Sequence, residues 1–187
     1  MRLSHGVVNR ARGISLWRLE RIGRITKDGR VKLNVPLMCD GAGRVILGSN
    51  VKVGFREAAL FGDGMVRLQA RSADALITVG PGTSFSNNVQ VIAQKCVTIG
   101  ANCLIGDAAL IVDSDFHNLN AEGRHRDSGL AADVVLEDNI FVGSRAIIMK
   151  GVTIGKDSVI GAGSVVVSSI PSGVIAGGNP AKVLRPL

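Results

Sequence analysis

The sequence predicts an all-β solenoid. Three observations carry that expectation: aliphatic residues recur every six positions, glycine follows many of them, and aromatic residues are almost missing. In the longest block, Leu136, Val142, Ile148, Ile154, Ile160 and Val166 lie six apart, with Gly143, Gly155 and Gly161 behind three of them. A helix repeats near 3.6 residues and a strand alternates at 2, so neither alone gives a period of six. A hexapeptide forming one short strand and one turn does. Each coil leaves open edges, so neighbouring coils must stack. The chain is 46% hydrophobic but only 3% aromatic, with no Tyr. A narrow prism of stacked Val, Ile, Leu and Ala fits that composition, whereas most globular cores use aromatic bulk.

Residues 1–43 do not repeat and are read as an N-terminal cap or arm. They contain Arg2, Arg10, Arg12, Arg18, Arg21, Arg24, Lys27, Arg30 and Lys32, much of the positive charge behind a net +7. In "VVNRARGISLWRLERIG" apolar residues are spaced among these cations. The expected role is a cap on one end of the solenoid, with an amphipathic contact to a membrane surface as the alternative. No apolar stretch of signal-peptide type opens the chain, and none is long enough to span a bilayer. The reading is a cytoplasmic protein whose membrane contact, if made, is peripheral.

The repeat domain is expected over 44–187. It begins with Leu47-Gly48 and Val53-Gly54, continues through Val79, Phe85 and Val91, slips by two, and resumes at Ile99, Ile105 and Ile111. Cys39, Cys96 and Cys103 have neither disulfide nor metal spacing. They read as small core residues in a reducing compartment. At the far end, Pro171 and Gly177-Gly178 break the repeat. Asn179-Pro180 reads as the N-cap and first residue of a short helix over 179–187.

Between Ile111 and Leu136 the chain runs 25 positions where one repeat would take six. Insertions of this size in a solenoid collect on one face and are usually functional. The loop, 113–134, is polar and holds two of the three histidines, His117 and His125. Imidazole suits general-base work near neutral pH. Asp113 and Asp115 precede His117 closely, and either carboxylate is a candidate to orient it or to bind acceptor hydroxyls. His125, between Arg124 and Arg126, reads as a solvated loop tip. Polar Ser86, Asn87 and Asn88 stand where the repeat prefers small residues. They read as acceptor contacts or as a structural asparagine turn.

These residues resemble the hexapeptide-repeat acyltransferase family, closest to sugar O-acetyltransferases of the maltose and galactoside type. The repeat carries the resemblance, with "DSDFH", "FSNNVQV", "VGSRA", "IGAGS" and "GNPAKVLR". The resemblance implies a left-handed parallel β-helix of triangular section and a homotrimer with sites between subunits. It implies acetyl-CoA as co-substrate and a saccharide acceptor, as in surface polysaccharide or glycolipid assembly. By the same resemblance His117 is the catalytic base, and one of Ser86, Asn87 and Asn88 helps to form the acceptor site. Ser144, Ala162 and Gly163 line the pantetheine, and Lys182 and Arg185 meet the nucleotide end. Arg124 is a further candidate acceptor contact, in line with an amino-sugar nucleotide as the alternative substrate for N-acetylation. One departure stands out. Many relatives have Thr-Lys where this chain has Val167 and Ser168, and Arg145 or Lys150 is the candidate replacement.

Other chemistries fit less well. No GxxxxGK[ST] phosphate loop and no GxSxG elbow occur. Zinc held by three histidines, as in γ-type carbonic anhydrases, lacks its spacing here, so no metal is expected. No nucleic-acid partner is expected either. A non-catalytic scaffold is the remaining alternative, and the long loop with His117 argues against it.

Overall fold

The computed structural model of the chain describes residue 20 and residues 23–58 and 64–187. His5 and most of the basic arm lie outside those residues, and so does the expected amphipathic segment apart from Glu20 and Gly23.

Among the described residues, eighteen strands wind as six stacked coils of three. Coil one contains β1 (Ile25–Lys27), β2 (Val31–Leu33) and β3 (Leu37–Gly41). Coil two contains β4 (Arg44–Leu47), β5 (Val51–Val53) and β6 (Val66–Ala70). Coil three contains β7 (Leu76–Val79), β8 (Ser84–Phe85) and β9 (Gln90–Ala93). Coil four contains β10 (Cys96–Ile99), β11 (Leu104–Ile105) and β12 (Leu110–Val112). Coil five contains β13 (Val134–Leu136), β14 (Phe141–Val142) and β15 (Ile147–Ile148). Coil six contains β16 (Thr153–Ile154), β17 (Val159–Ile160) and β18 (Val165–Val166). A terminal hairpin, β19 (Val174–Gly178) and β20 (Ala181–Pro186), closes the stack.

The first strand of every coil joins sheet A, the second sheet B and the third sheet C, each a parallel ladder with β20 antiparallel at the end of sheet B. The period of six follows from this geometry. In sheet A, Leu47, Val79, Ile99, Leu136 and Ile154 are successive register partners. In sheet B the inward column is Val53, Phe85, Ile105, Val142, Ile160 and Ala176. In sheet C it is Cys39, Leu68, Val91, Ile111, Ile148 and Val166. Three hexapeptides therefore complete one turn. Most of these side chains are fully buried, each worth about 1.5–3 kcal/mol of apolar burial. Corners need close backbone approach. A Cβ on Gly143 would lie 2.5 Å from the Ala162 nitrogen of the next coil. Asn50, Asn88, Asn102 and Asn139 supply left-handed corner residues at φ 55–59°, a region asparagine tolerates better than most.

Two expectations are corrected. The boundary at residue 43/44 falls inside the solenoid, because β1 and β3 already pair in register with β4 and β6. The first coil lacks the regular aliphatic-glycine spacing that marks the later ones. The helix expected over 179–187 is instead strand β20, paired with β19. A nine-residue helix is marginal on its own, and β19 would otherwise present a bare parallel edge.

Burial sets the thiol chemistry. Burial, helped by the neighbouring Asp40 charge, pushes the Cys39 thiol up to about 12. Burial also raises Cys103, whereas Cys96 is half-buried. The native protein at pH 8 is expected to release at most one equivalent from Ellman's reagent, and all three thiols after denaturation. A thiol count distinguishes these states.

Candidate active site

The prism has three corners, and the site residues divide between two of them. The loop leaves β12 and returns at β13, at the corner joining sheet C to sheet A. Ser86 to Asn88, Gly106, Ser144, and Ala162 with Gly163 all lie at the corner joining sheet B to sheet C. Sheet C separates the two corners in one protomer.

Asp113 anchors the loop. It is fully buried. Its Oδ1 accepts from the Gln94 amide at 2.7 Å and its Oδ2 from the Lys95 amide at 2.8 Å. Its own carbonyl accepts from the Ala132 amide at 2.8 Å, drawing the two ends of the loop together. Ile92 and Val112 beside it are buried but lie outside the prism interior.

Within the loop, His117 is exposed. Its Nδ1 lies 3.1 Å from the Arg124 carbonyl oxygen. A carbonyl only accepts, so Nδ1–H donates and Nε2 keeps its lone pair. That is the tautomer a general base requires. The group orienting His117 is thus a backbone carbonyl and not the carboxylate of Asp113 or Asp115. Asp115 points elsewhere: its buried Oδ2 lies 3.3 Å from Lys150 Nζ and makes no other polar contact among the described residues. Arg124 spends its guanidinium on the Leu119 carbonyl at 3.2 Å, so its backbone and side chain both brace the loop.

The residue before His117 is tied to sheet C. Phe116 has φ 62°, uncommon for a bulky side chain. Arg71 holds it, with the guanidinium carbon 4.1 Å from the ring centroid. Gln69 accepts from Arg71 Nε at 2.8 Å and donates to Asp40 at 2.9 Å. Asp40 also accepts from Arg67 at 2.6 Å. The Arg67 hydrogen bond holds the Asp40 carboxyl below the usual carboxylate range. A folded-state pKa lowered in this way gives stability that is complete above that range and is lost as pH falls through the lowered value. The contribution is small, because the pair is about one-third exposed. Arg71→Ala should lower kcat, by up to about 10²-fold if the imidazole shifts by an ångström. It should leave the midpoint of a donor titration unchanged.

Asn87 takes the structural one of its two expected roles and not the acceptor contact. It is fully buried, accepts from the Phe55 amide at 3.0 Å, and donates to the Phe55 carbonyl at 3.3 Å. It pins the segment after β5, and its full burial keeps it from an acceptor. Asn88 is half-buried and lines a small hollow with Met65 and Arg67. Ser86 opens onto a groove of about 700 Å³ over sheet B, whose walls include Phe55, Arg56, Leu104 and Phe141. That groove was not foreseen. The twelve positions between Val53 and Val66 that interrupt the repeat were its one sequence signal.

Below the groove the corner is built of small residues. Gly106 abuts the Ser144 backbone and Gly143 abuts that of Ala162. Ser144, Ala162 and Gly163 are exposed along this line. It ends beside the terminal hairpin, where Lys182 pairs opposite Gly177 and Arg185 opposite Ile175. Lys182 and Arg185 are both exposed, and neither makes an ion pair among the described residues. Arg145, next to Ser144, is also exposed, whereas Lys150 is held by Asp115. Val167 and Ser168 lie at the loop corner.

Residues 133–168 match the family model described as bacterial transferase hexapeptide (six repeats). The fold is a left-handed β-helix, similar to that of hexapeptide-repeat acetyltransferases. The chain is similar to the galactoside O-acetyltransferase of Escherichia coli, 35% identical over 109 residues, covering 58% of this chain and 53% of that protein. The corresponding enzyme of Lactococcus lactis is 34% identical over 106 residues, 57% of this chain and 51% of that protein. The chain spans about half the length of the curated relatives it matches. Among solved structures, the hexapeptide-repeat acetyltransferase VCA0836 of Vibrio cholerae, complexed with acetyl coenzyme A, superposes with TM-score 0.62 at 26% identity. That match covers 94% of this chain and 78% of the other. A galactoside acetyltransferase in complex with coenzyme A gives TM-score 0.53 at 26% identity, over 87% and 64%.

Proposed function

We propose that this chain is an acetyl-CoA-dependent O-acetyltransferase acting on a saccharide hydroxyl, with His117 as the base. The observation that carries the reading is His117 itself, exposed on a pinned loop and anchored through Nδ1, which leaves Nε2 as its base nitrogen. The line of small residues running to Lys182 and Arg185 supports an extended thioester donor with an anionic far end. Arg145, next to Ser144 and in no ion pair among the described residues, adds a further exposed cation at this corner. The galactoside enzymes and the coenzyme A-bound neighbours support acetyl-CoA and a sugar as substrates.

The chemistry is a direct transfer. Nε2 accepts the hydroxyl proton as the acceptor oxygen bonds to the thioester carbonyl carbon. The imidazolium is held by the Arg124 carbonyl. Collapse of the tetrahedral adduct breaks the C–S bond, and the departing thiolate takes the proton back from Nε2. The base and the donor line occupy different corners, so one protomer does not complete the site. A homotrimer with parallel prism axes places the loop of one subunit against the sheet B–sheet C corner of the next. His117 and the groove meet at the same level, since the loop leaves coil four, the coil of Leu104 and Gly106.

Thermal unfolding tests the reading. At about 100 times its dissociation constant, acetyl-CoA should stabilise the protein by roughly 2.7 kcal/mol, while ATP at equal concentration should not match it. The Lys182→Gln/Arg185→Gln variant should keep its unliganded Tm and need about tenfold more acetyl-CoA for the same shift. No shift at millimolar acetyl-CoA would remove the proposal.

A further inference from the structure

Resting on the transferase reading, we propose that the groove over sheet B takes an anionic saccharide, one bearing a carboxylate or a phosphate, and that Lys32 and Lys52 select it. The two lysines are register partners on adjacent strands β2 and β5, and both line the groove. Adjacent strands lie only about 4.8 Å apart, and like charges directly opposite one another destabilise a sheet. Ion pairs could relieve this, but neither lysine is in one among the described residues, although Lys27, Lys95 and Lys150 all are. Arg56 adds a third cation to the same wall and Glu57 a single carboxylate, leaving the groove net positive.

The register continues from Lys52 to Ser84, Leu104 and Phe141. The groove floor thus grades from cationic in the first two coils to apolar in the fourth and fifth. Leu104 is 53% exposed, Phe141 47% and Phe55 56%. Such a surface suits a sugar ring: the apolar side chains take its C–H face and the ammonium groups take a charged substituent two coils away. Ser86 and Gly106 open the groove onto the donor line. A ring held there presents its hydroxyls toward the corner where the thioester would end.

Calorimetric titration of the full chain at low salt, first with CoA and then with acceptor probes, tests this. The probes are methyl glucuronide, glucose 1-phosphate and neutral methyl glucoside. At least one anionic probe should bind about tenfold or more tightly than the glucoside. The carboxylate and phosphate arms distinguish which anion is read. Lys32→Gln/Lys52→Gln should erase the preference without lowering Tm, and Lys32→Arg/Lys52→Arg should keep it. Equal binding of all three probes overturns the inference. So does a preference that survives the glutamine variant, or no anionic binding at about 10 mM. CoA heat in the same cell keeps the two readings apart. CoA binding without an anion preference removes the selectivity alone, whereas absent CoA binding removes the transferase reading.

Discussion

Replacing His117 with alanine is expected to lower kcat by about 10²–10⁴-fold, the usual contribution of a positioned general base. Tm should not move, because the side chain is exposed and its one hydrogen bond is to the Arg124 carbonyl. The acetyl-CoA thermal shift should survive as well, since the donor line lies at another corner. Initial rates of CoA release, measured beside the melting curve, separate these effects. His117→Gln is the informative companion. Its amide can donate to the same carbonyl but cannot hold a proton in transit, so it should be as inactive as alanine. A glutamine variant with near-native turnover would assign His117 a binding role and leave the base unidentified.

Asp113→Ala should behave in the opposite way. The carboxylate accepts from two backbone amides, of Gln94 and Lys95, in a fully buried position. Truncation leaves both donors unsatisfied, at a cost of roughly 2–4 kcal/mol. For a chain of this size that is a fall in Tm of roughly 5–15 °C. Activity at low temperature should fall less than in His117→Ala, because Asp113 touches neither the imidazole nor the donor line. Were Asp113 the orienter of the base, Tm would hold and the rate would collapse.

The contrast between these two residues shows what the sequence made legible. The period of six specified the solenoid, because each hexapeptide delivers one side chain to an inward column. The inserted loop was legible as a break in that period, and His117 lies exposed on it. Asp113, read as an orienter or acceptor contact, and Asn87, left open between an acceptor contact and a structural turn, shared a clue: each follows an inward apolar residue, Ile111 or Phe85, by two positions. Strand alternation points such a residue inward, where both bond to backbone. Ser86, one position from Phe85, faces outward and opens onto the groove. The terminal helix failed for another reason. Asn179-Pro180 is a sound local start signal, but local signals carry no information about the unpaired edge of β19 that β20 covers. Arg71 and Phe116 are 45 positions apart, and only the stacking of coils brings them together.

The shared site is tested most directly by mixing two inactive variants. His117→Ala removes the base and keeps the donor line. Ala162→Trp blocks the donor line at an exposed corner and keeps the loop. Unfolded together and refolded as a one-to-one mixture, they should regain about a quarter of wild-type activity, since a loop and a corner from different subunits meet intact at one interface in four. Recovery of that size, absent when either variant is refolded alone, is the predicted result. No recovery from mixed, correctly assembled trimers would mean that each subunit completes its own site, and would contradict the proposed arrangement.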